Sequence, residues 1–239
     1  MPLPNLMNEV PKYQVVLPSL KKEITYRPFL VKEQKILLMA LETRDTKQII
    51  QAMMNCIESC APGTSPYSLA TFDADYLFTQ IRSKSIGETA TISHGCENTE
   101  CSHKNDIVVK LSDIKLNRPV SESVVDITDK IRIRLKYPTY QDMLTNENIF
   151  ADDLTTTGIL FETLMLCLDS VMTEDEQVKI SEESKESIEQ FVGSLNNQQL
   201  EKLQEFVGNM PRLTHSQDYE CEKCGHKNTL EISGVRDFF

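Results

Sequence analysis

The residues best suited to chemistry in this 239-residue chain are two cysteine pairs. Cys96 and Cys101 enclose four residues, and Cys221 and Cys224 enclose two. The residues after each pair repeat: Ser102-His103-Lys104-Asn105 after the first and Gly225-His226-Lys227-Asn228 after the second, each leading into a strand-like run. Thiolates so spaced form metal knuckles, and two knuckles supply the four ligands of a closed tetrahedral zinc site. The expected cofactor is therefore a structural Zn2+ held by Cys96, Cys101, Cys221 and Cys224. A catalytic zinc keeps a position open for water and mixes in histidine or carboxylate. All four histidines (His94, His103, His215, His226) lie near the knuckles, so a site of three cysteines and one histidine is the alternative. The preferred task for His103 and His226 is to shape the knuckle or to donate to a thiolate.

Other chemistry is sparse. There is no glycine-rich phosphate loop, no helix carrying His-Glu and a second His, and no serine in a nucleophile elbow. Asp73/Asp75 and Asp152/Asp153 are carboxylate pairs, but each sits where a helix should begin, and the helix dipole accounts for acid there. Cys56 and Cys60 stand four apart on one predicted helix without a second ligand pair, which makes them small core residues. No catalytic residue and no small-molecule substrate are expected.

The elements that must position the knuckles are set by periodicity. Residues 13–17 and 23–27 predict a β-hairpin around Pro18 and Ser19. Three helices come next. The first, over 31–42, should carry Ile36, Leu37, Met39, Ala40 and Leu41 on a broad apolar face. The second, over 46–60, is capped by Asp45, and the third, over 73–83, is capped near Thr71. Residues 88–93 and 105–111 predict strands on either side of the first knuckle. In residues 130–136, Ile131, Ile133 and Leu135 alternate with Arg132, Arg134 and Lys136, the pattern of a half-buried strand with a basic outer face. That stripe reads as a solvated face or as a meeting place for an acidic partner or nucleic acid. Thr139 should cap a helix over 140–145. Residues 152–169 predict a core helix buried on most sides, and 177–180 a brief strand. Helices over 184–195 and 197–209 predict an antiparallel hairpin, and strands flank the second knuckle. The expected fold class is α+β: an N-terminal β-hairpin and helices, a split four-cysteine zinc ribbon, and a largely helical insertion between its halves. The expected domains are residues 1–87, 88–111 (first ribbon half), 112–213 (insertion) and 214–239 (second half and an apolar end). Phe238 and Phe239 either fold back on the core or insert into a partner.

A chain of this length, 40% hydrophobic and 26% charged, can bury a sizeable core, so zinc would act as a local clamp. A net charge of −11 argues against general affinity for phosphate backbones, which needs clustered Lys and Arg. Lys104, Lys223 and Lys227 instead offset a four-thiolate zinc site of charge near −2. The first residues lack a charged start followed by an apolar run, and residues 159–168 are too short to span a bilayer, so no signal peptide or membrane span is expected. A reducing compartment fits paired cysteines used as metal ligands.

Several stretches together resemble a known family. The segment from Tyr26 through Arg27, Pro28 and Phe29 to Leu38, residues 133–139, the run from Cys221 to His226, and the ending Ser233-Gly234-Val235-Arg236-Asp237-Phe238-Phe239 are similar to the baseplate hub proteins of T4-like contractile-tailed phages. That family includes a hub subunit and a related hub assembly factor. The resemblance implies a structural or chaperone-like role in tail baseplate hub formation, through contacts with other baseplate hub proteins and without enzymatic activity. It places the protein in the host cytoplasm during assembly and in the virion tail baseplate if it stays in the particle. The alternative is a nucleic-acid-binding zinc-ribbon protein of phage replication or transcription.

Overall fold

The computed structural model describes residues 9–121, 123–151 and 155–234. Asp152, Asp153, Phe238, Phe239 and the first eight residues lie outside them. The fold is the mixed helix-and-sheet arrangement expected, with the β-hairpin at its start. It divides into two compact units, Met1–Asn117 with Pro211–Phe239, and Arg118–Met210.

In the first unit β1 (Tyr13–Val16) and β2 (Glu23–Tyr26) pair antiparallel, and Lys21 takes a positive φ in the connecting turn. Then come α1 (Val31–Thr43), α2 (Thr46–Cys60) and α3 (Thr71–Ser85). Asp45 caps α2 as expected: its carboxylate accepts from the Lys47 N–H at 2.8 Å and the Gln48 N–H at 3.4 Å. Ile50, Met53, Met54 and Ile57 of α2 meet Leu77, Phe78 and Ile81 of α3 in the interior, where all are fully buried.

Two expectations fail here. Thr71 is the first residue of α3 rather than its cap, and Ala70 occupies the cap position without a side-chain bond. The broad apolar face of α1 is also not buried. Among its larger apolar residues only Leu37 is, while Val31 is 80% and Met39 57% exposed, with Ile36 and Leu38 also exposed. Its inward stripe is instead set by Glu33, a buried carboxylate tied to Arg27 at 2.9 Å and to the Leu30 N–H at 2.8 Å. Glu33 thus supplies half of a capping box, since Leu30 has no acceptor to return. The helix is turned to bury that ion pair, and its apolar residues turn with it.

The unit ends in two hairpins. β3 (Thr89–Gly95) pairs with β4 (Lys104–Lys110), and β10 (Leu213–Glu220) pairs with β11 (Lys227–Ser233). The short β5 (Lys115–Leu116) adds to the outer edge of β10. A cysteine knuckle sits at the turn of each hairpin.

The second unit packs α5 (Thr156–Cys167) and α7 (Asn197–Gly208) with an antiparallel sheet of β6 (Val124–Asp126), β7 (Arg132–Leu135), β8 (Leu168–Met172) and β9 (Gln177–Lys179). The alternation read in β7 holds. Ile133 and Leu135 are buried, Arg132 and Arg134 exposed. Its core joins Ile133, Leu135, Leu164, Cys167, Leu203 and Phe206, with Tyr137 stacked on Phe206 at 5.4 Å. α4 (Tyr140–Thr145) carries a full capping box of Thr139 and Asp142, and Asn196 forms one with Gln199 at the start of α7. α6 (Lys185–Gly193) is capped by Ser184.

The helix expected over 152–169 is shorter and less buried than its composition implies. It begins after Thr155, which accepts from the Gly158 N–H, and stops at Cys167. Leu168 to Met172 become β8, the inner partner of β7 and β9. A short apolar run reads equally well as helix end or buried strand, and only the strands on both sides of it decide. α5 itself fully buries only Leu164 and Cys167, contrary to a helix covered on most sides.

Candidate metal centre

Each cysteine pair lies where a hairpin turns. Cys96 comes directly after β3, and two residues separate Cys101 from the start of β4. Cys221 comes directly after β10, and two residues separate Cys224 from the start of β11. The knuckles are closed by matching backbone bonds. The Cys96 N–H donates to the His103 carbonyl and the Cys221 N–H to the His226 carbonyl, both at 2.9 Å. The repeated histidines therefore work through their main chain. Their rings reach no thiolate; the nearest charged neighbour of His103 is Glu222, at 4.0 Å.

The knuckles differ where their lengths differ. In the second, Gly225 takes φ +71° and its N–H returns to the Cys221 carbonyl at 2.8 Å. A left-handed residue there suits glycine. In the longer first knuckle the turn falls earlier, with the Cys101 N–H on the Asn98 carbonyl at 2.8 Å, and Ser102 needs no such conformation.

The tertiary structure brings the four sulfur atoms within 4.8 Å of one another. Cys96 Sγ lies 3.7 Å from Cys224 Sγ, and Cys101 Sγ lies 3.9 Å from Cys221 Sγ. A disulfide needs about 2 Å, so these are not bonded pairs. A tetrahedron of thiolates about 2.3 Å from a zinc-sized ion has edges of about 3.8 Å, which both distances match. Cys101 and Cys221 are buried, Cys96 is partly so, and Cys224 is exposed. Both of these sulfur pairs are made across the two hairpins, so an ion here would be gripped by both.

A brace that the cysteine spacing alone does not reveal holds the hairpins together. The Asn105 side chain accepts from the Glu222 N–H at 2.9 Å, and the Asn228 side chain accepts from the Glu97 N–H at 2.8 Å. Each asparagine thus reaches the residue after the first cysteine of the opposite knuckle. Both are buried. The signal was present in the sequence as the one asparagine at equal offset in both repeats. Tyr219 adds a further tie, with its hydroxyl 2.8 Å from His94 Nδ1 and donating to the Gly95 carbonyl at 3.2 Å.

The electrostatics favour thiolate at Cys221 and oppose it at Cys96 and Cys101. Burial alone would push the Cys221 thiol up, but the N–H groups of Cys224 and Lys223 and the Asn105 amide face it and bring it down to about 6. Asn105 Nδ2 is buried and makes no hydrogen bond, while its amide is among the groups that lower the Cys221 thiol. Burial and the neighbouring sulfurs push Cys96 up to about 12. Such a set invites a cation, because crowded thiols resist a second and third negative charge until one is present.

Other candidates fall elsewhere. Cys56 and Cys60 are buried in α2, where Arg27 Nη1 lies 3.6 Å from Cys60 Sγ. Asp73 is fully buried and accepts from both the N–H and the hydroxyl of Ser19, so it anchors the hairpin turn to α3 rather than only facing the helix dipole.

The sequence profile of a family described as T4 bacteriophage base plate protein matches residues 10–239, nearly the whole chain. The chain belongs to that family. The base plate family match runs through both knuckles and the unit between them, so the sulfur cluster lies inside the region that defines it. A search of curated proteins finds no match, and neither does a search of solved structures. Among the described residues no helix of this base plate protein is long and apolar enough to cross a membrane.

Proposed function

We propose that this base plate protein is a zinc-stabilised, non-catalytic component of tail baseplate hub formation, acting as hub subunit or assembly factor through contacts with other baseplate proteins. The observation that carries it is the family match over residues 10–239. The sulfur cluster fits the structural half of the reading. Four thiolates fill a tetrahedral ion completely and leave no position for water or substrate, so the ion supplies folding energy and no reaction step. Zinc is the metal that this donor set and spacing favour. The knuckles also carry Glu97, Glu100 and Glu222, which with the net charge of −11 weighs against a phosphate-binding ribbon.

The test is phage made without this gene product. The expected result is particles or lysates lacking assembled hubs, with the protein co-purifying with other baseplate components and carrying one equivalent of zinc by elemental analysis. Mass spectrometry of mature virions then separates the roles, since a subunit is present and an assembly factor is absent. Normal baseplates without the protein, or co-purification with replication or transcription proteins only, would overturn the proposal.

A further inference from the structure

The unit of residues 118–210 carries apolar surface that its own fold leaves open. α5 reads TTGILFETLMLC, with apolar residues around most of its circumference. A helix of that kind belongs in an interior. Yet Ile159 is 46% and Phe161 37% exposed. α6 is in the same position from the other side. It has no fully buried residue, although Ile188, Phe191 and Val192 rest against the core. Between these helices lies an open groove of about 1010 Å³, floored by Phe161, Met165, Leu166, Ile188, Val192 and Leu195. That is the top of the range small ligands occupy, about 300–1,000 Å³, and the open trough suits the apolar face of a helix.

The rim decides the charge of the occupant. It holds four carboxylates, Asp142, Glu162, Glu183 and Glu189, against one lysine, Lys185. Asp142 is paired with Lys136 at 3.1 Å, and Glu189 with Lys185 at 3.7 Å. Glu162 on α5 accepts from Asn146 Nδ2 at 2.8 Å and Asn148 Nδ2 at 3.3 Å, and Glu183 before α6 accepts from the Ser187 hydroxyl at 3.2 Å. Neither has a cationic partner among the described residues. Each wall of the groove therefore offers a carboxylate whose charge no described residue of this unit neutralises. A second copy is a poor occupant, since each chain carries −11.

We propose that the groove between α5 and α6 is the docking site for a basic amphipathic helix of a partner protein. Its apolar face fills the trough, and its lysines or arginines meet Glu162 and Glu183. This does not rest on the metal, because every groove residue belongs to the 118–210 unit.

The experiment places the photo-crosslinking residue p-benzoylphenylalanine at position 161 of the full-length chain during phage infection. The captured segment is mapped by mass spectrometry. The expected adduct is a segment of another protein with net positive charge and apolar residues at helical spacing. Combining the probe with Glu183→Lys and Glu189→Lys, two exposed rim changes, should lower the adduct yield by about fivefold or more while the circular dichroism spectrum is unchanged. A captured segment that is acidic or neutral, capture of a second copy, a yield no higher than with the probe at exposed Thr156, or a yield insensitive to the charge reversal would each overturn the proposal.

Discussion

At the scale of single residues, the cysteine cluster is braced by groups that carry no thiol. Asn105 and Asn228 each satisfy a backbone N–H of the opposite knuckle. Replacing either by alanine strands that donor and frees the knuckle to turn. Metal affinity should fall about 10–100-fold for Asn105→Ala or Asn228→Ala, the usual effect of losing a group that orients ligands. Competition against a chromogenic chelator measures this, and unchanged affinity would show the braces to be incidental. A second residue-scale prediction concerns pH. Burial pushes the Asp73 carboxyl up, more than its two bonds from Ser19 bring it down. Its contribution to stability is therefore complete below the unfolded value of about 3.9 and is lost as pH rises through the folded value. Asp73→Asn keeps an acceptor for the Ser19 N–H and removes the charge. Its stability relative to the parent should be higher at pH 7 than at pH 4 in urea melts, and a difference independent of pH would refute the assignment.

At the scale of elements, the start of α1 is fixed by charge. Arg27 ends the first hairpin, donates to Glu33 at 2.9 Å, and reaches the Pro28 carbonyl and Cys60 Sγ. Its backbone N–H also meets the Cys60 carbonyl at 2.9 Å. Hairpin, α1 and the end of α2 are thus joined at one ion pair. Burial would raise the Glu33 carboxyl, but the Arg27 and Leu30 bonds outweigh it and hold it below the usual range. Its stabilisation is present above the unfolded value of about 4.3 and fades as pH falls through the lower folded value, the reverse of Asp73. Glu33→Ala leaves the part-buried Arg27 guanidinium without its carboxylate and should cost about 1.5–3 kcal/mol, whereas Glu33→Gln, which can still accept, should cost less. Chemical denaturation of both variants at pH 7 checks the order. Equal losses would mean that packing, rather than the pair, holds α1. The stretch from Tyr26 to Leu38 thus carries a family resemblance through a structural joint.

At the scale of the whole molecule, the sulfur cluster joins hairpins about 120 residues apart, so a metal bound there would close a loop that contains the entire 118–210 unit. Closing it should stabilise the ribbon strongly, because the binding energy of a structural zinc is folding energy. The 118–210 unit has its own core of β7, β8, α5 and α7 and contributes none of the four clustered cysteines. Stripping the metal should therefore raise amide exchange in β3, β4, β10 and β11, while buried amides of β7 and α7 keep their protection. Uniform loss of protection would show one cooperative unit instead. The four clustered cysteines, the strands beside them and the caps Asp45 and Thr139 were legible in the chain itself, because thiol spacing, strand alternation and capping residues are local patterns. The resemblance to baseplate hub proteins was legible too, and the family match carries it as far as the base plate. Three things were decided only in three dimensions. Periodicity could not show that α1 turns outward around a buried ion pair, since an apolar residue and a buried carboxylate compete for the same face. Nor could it show that Leu168 to Met172 leave the helix for the sheet, since the strands that pair with them lie elsewhere in the chain. The crossing asparagines were visible as a repeat, but their role depends on two hairpins meeting, and that contact is made only when the chain has folded.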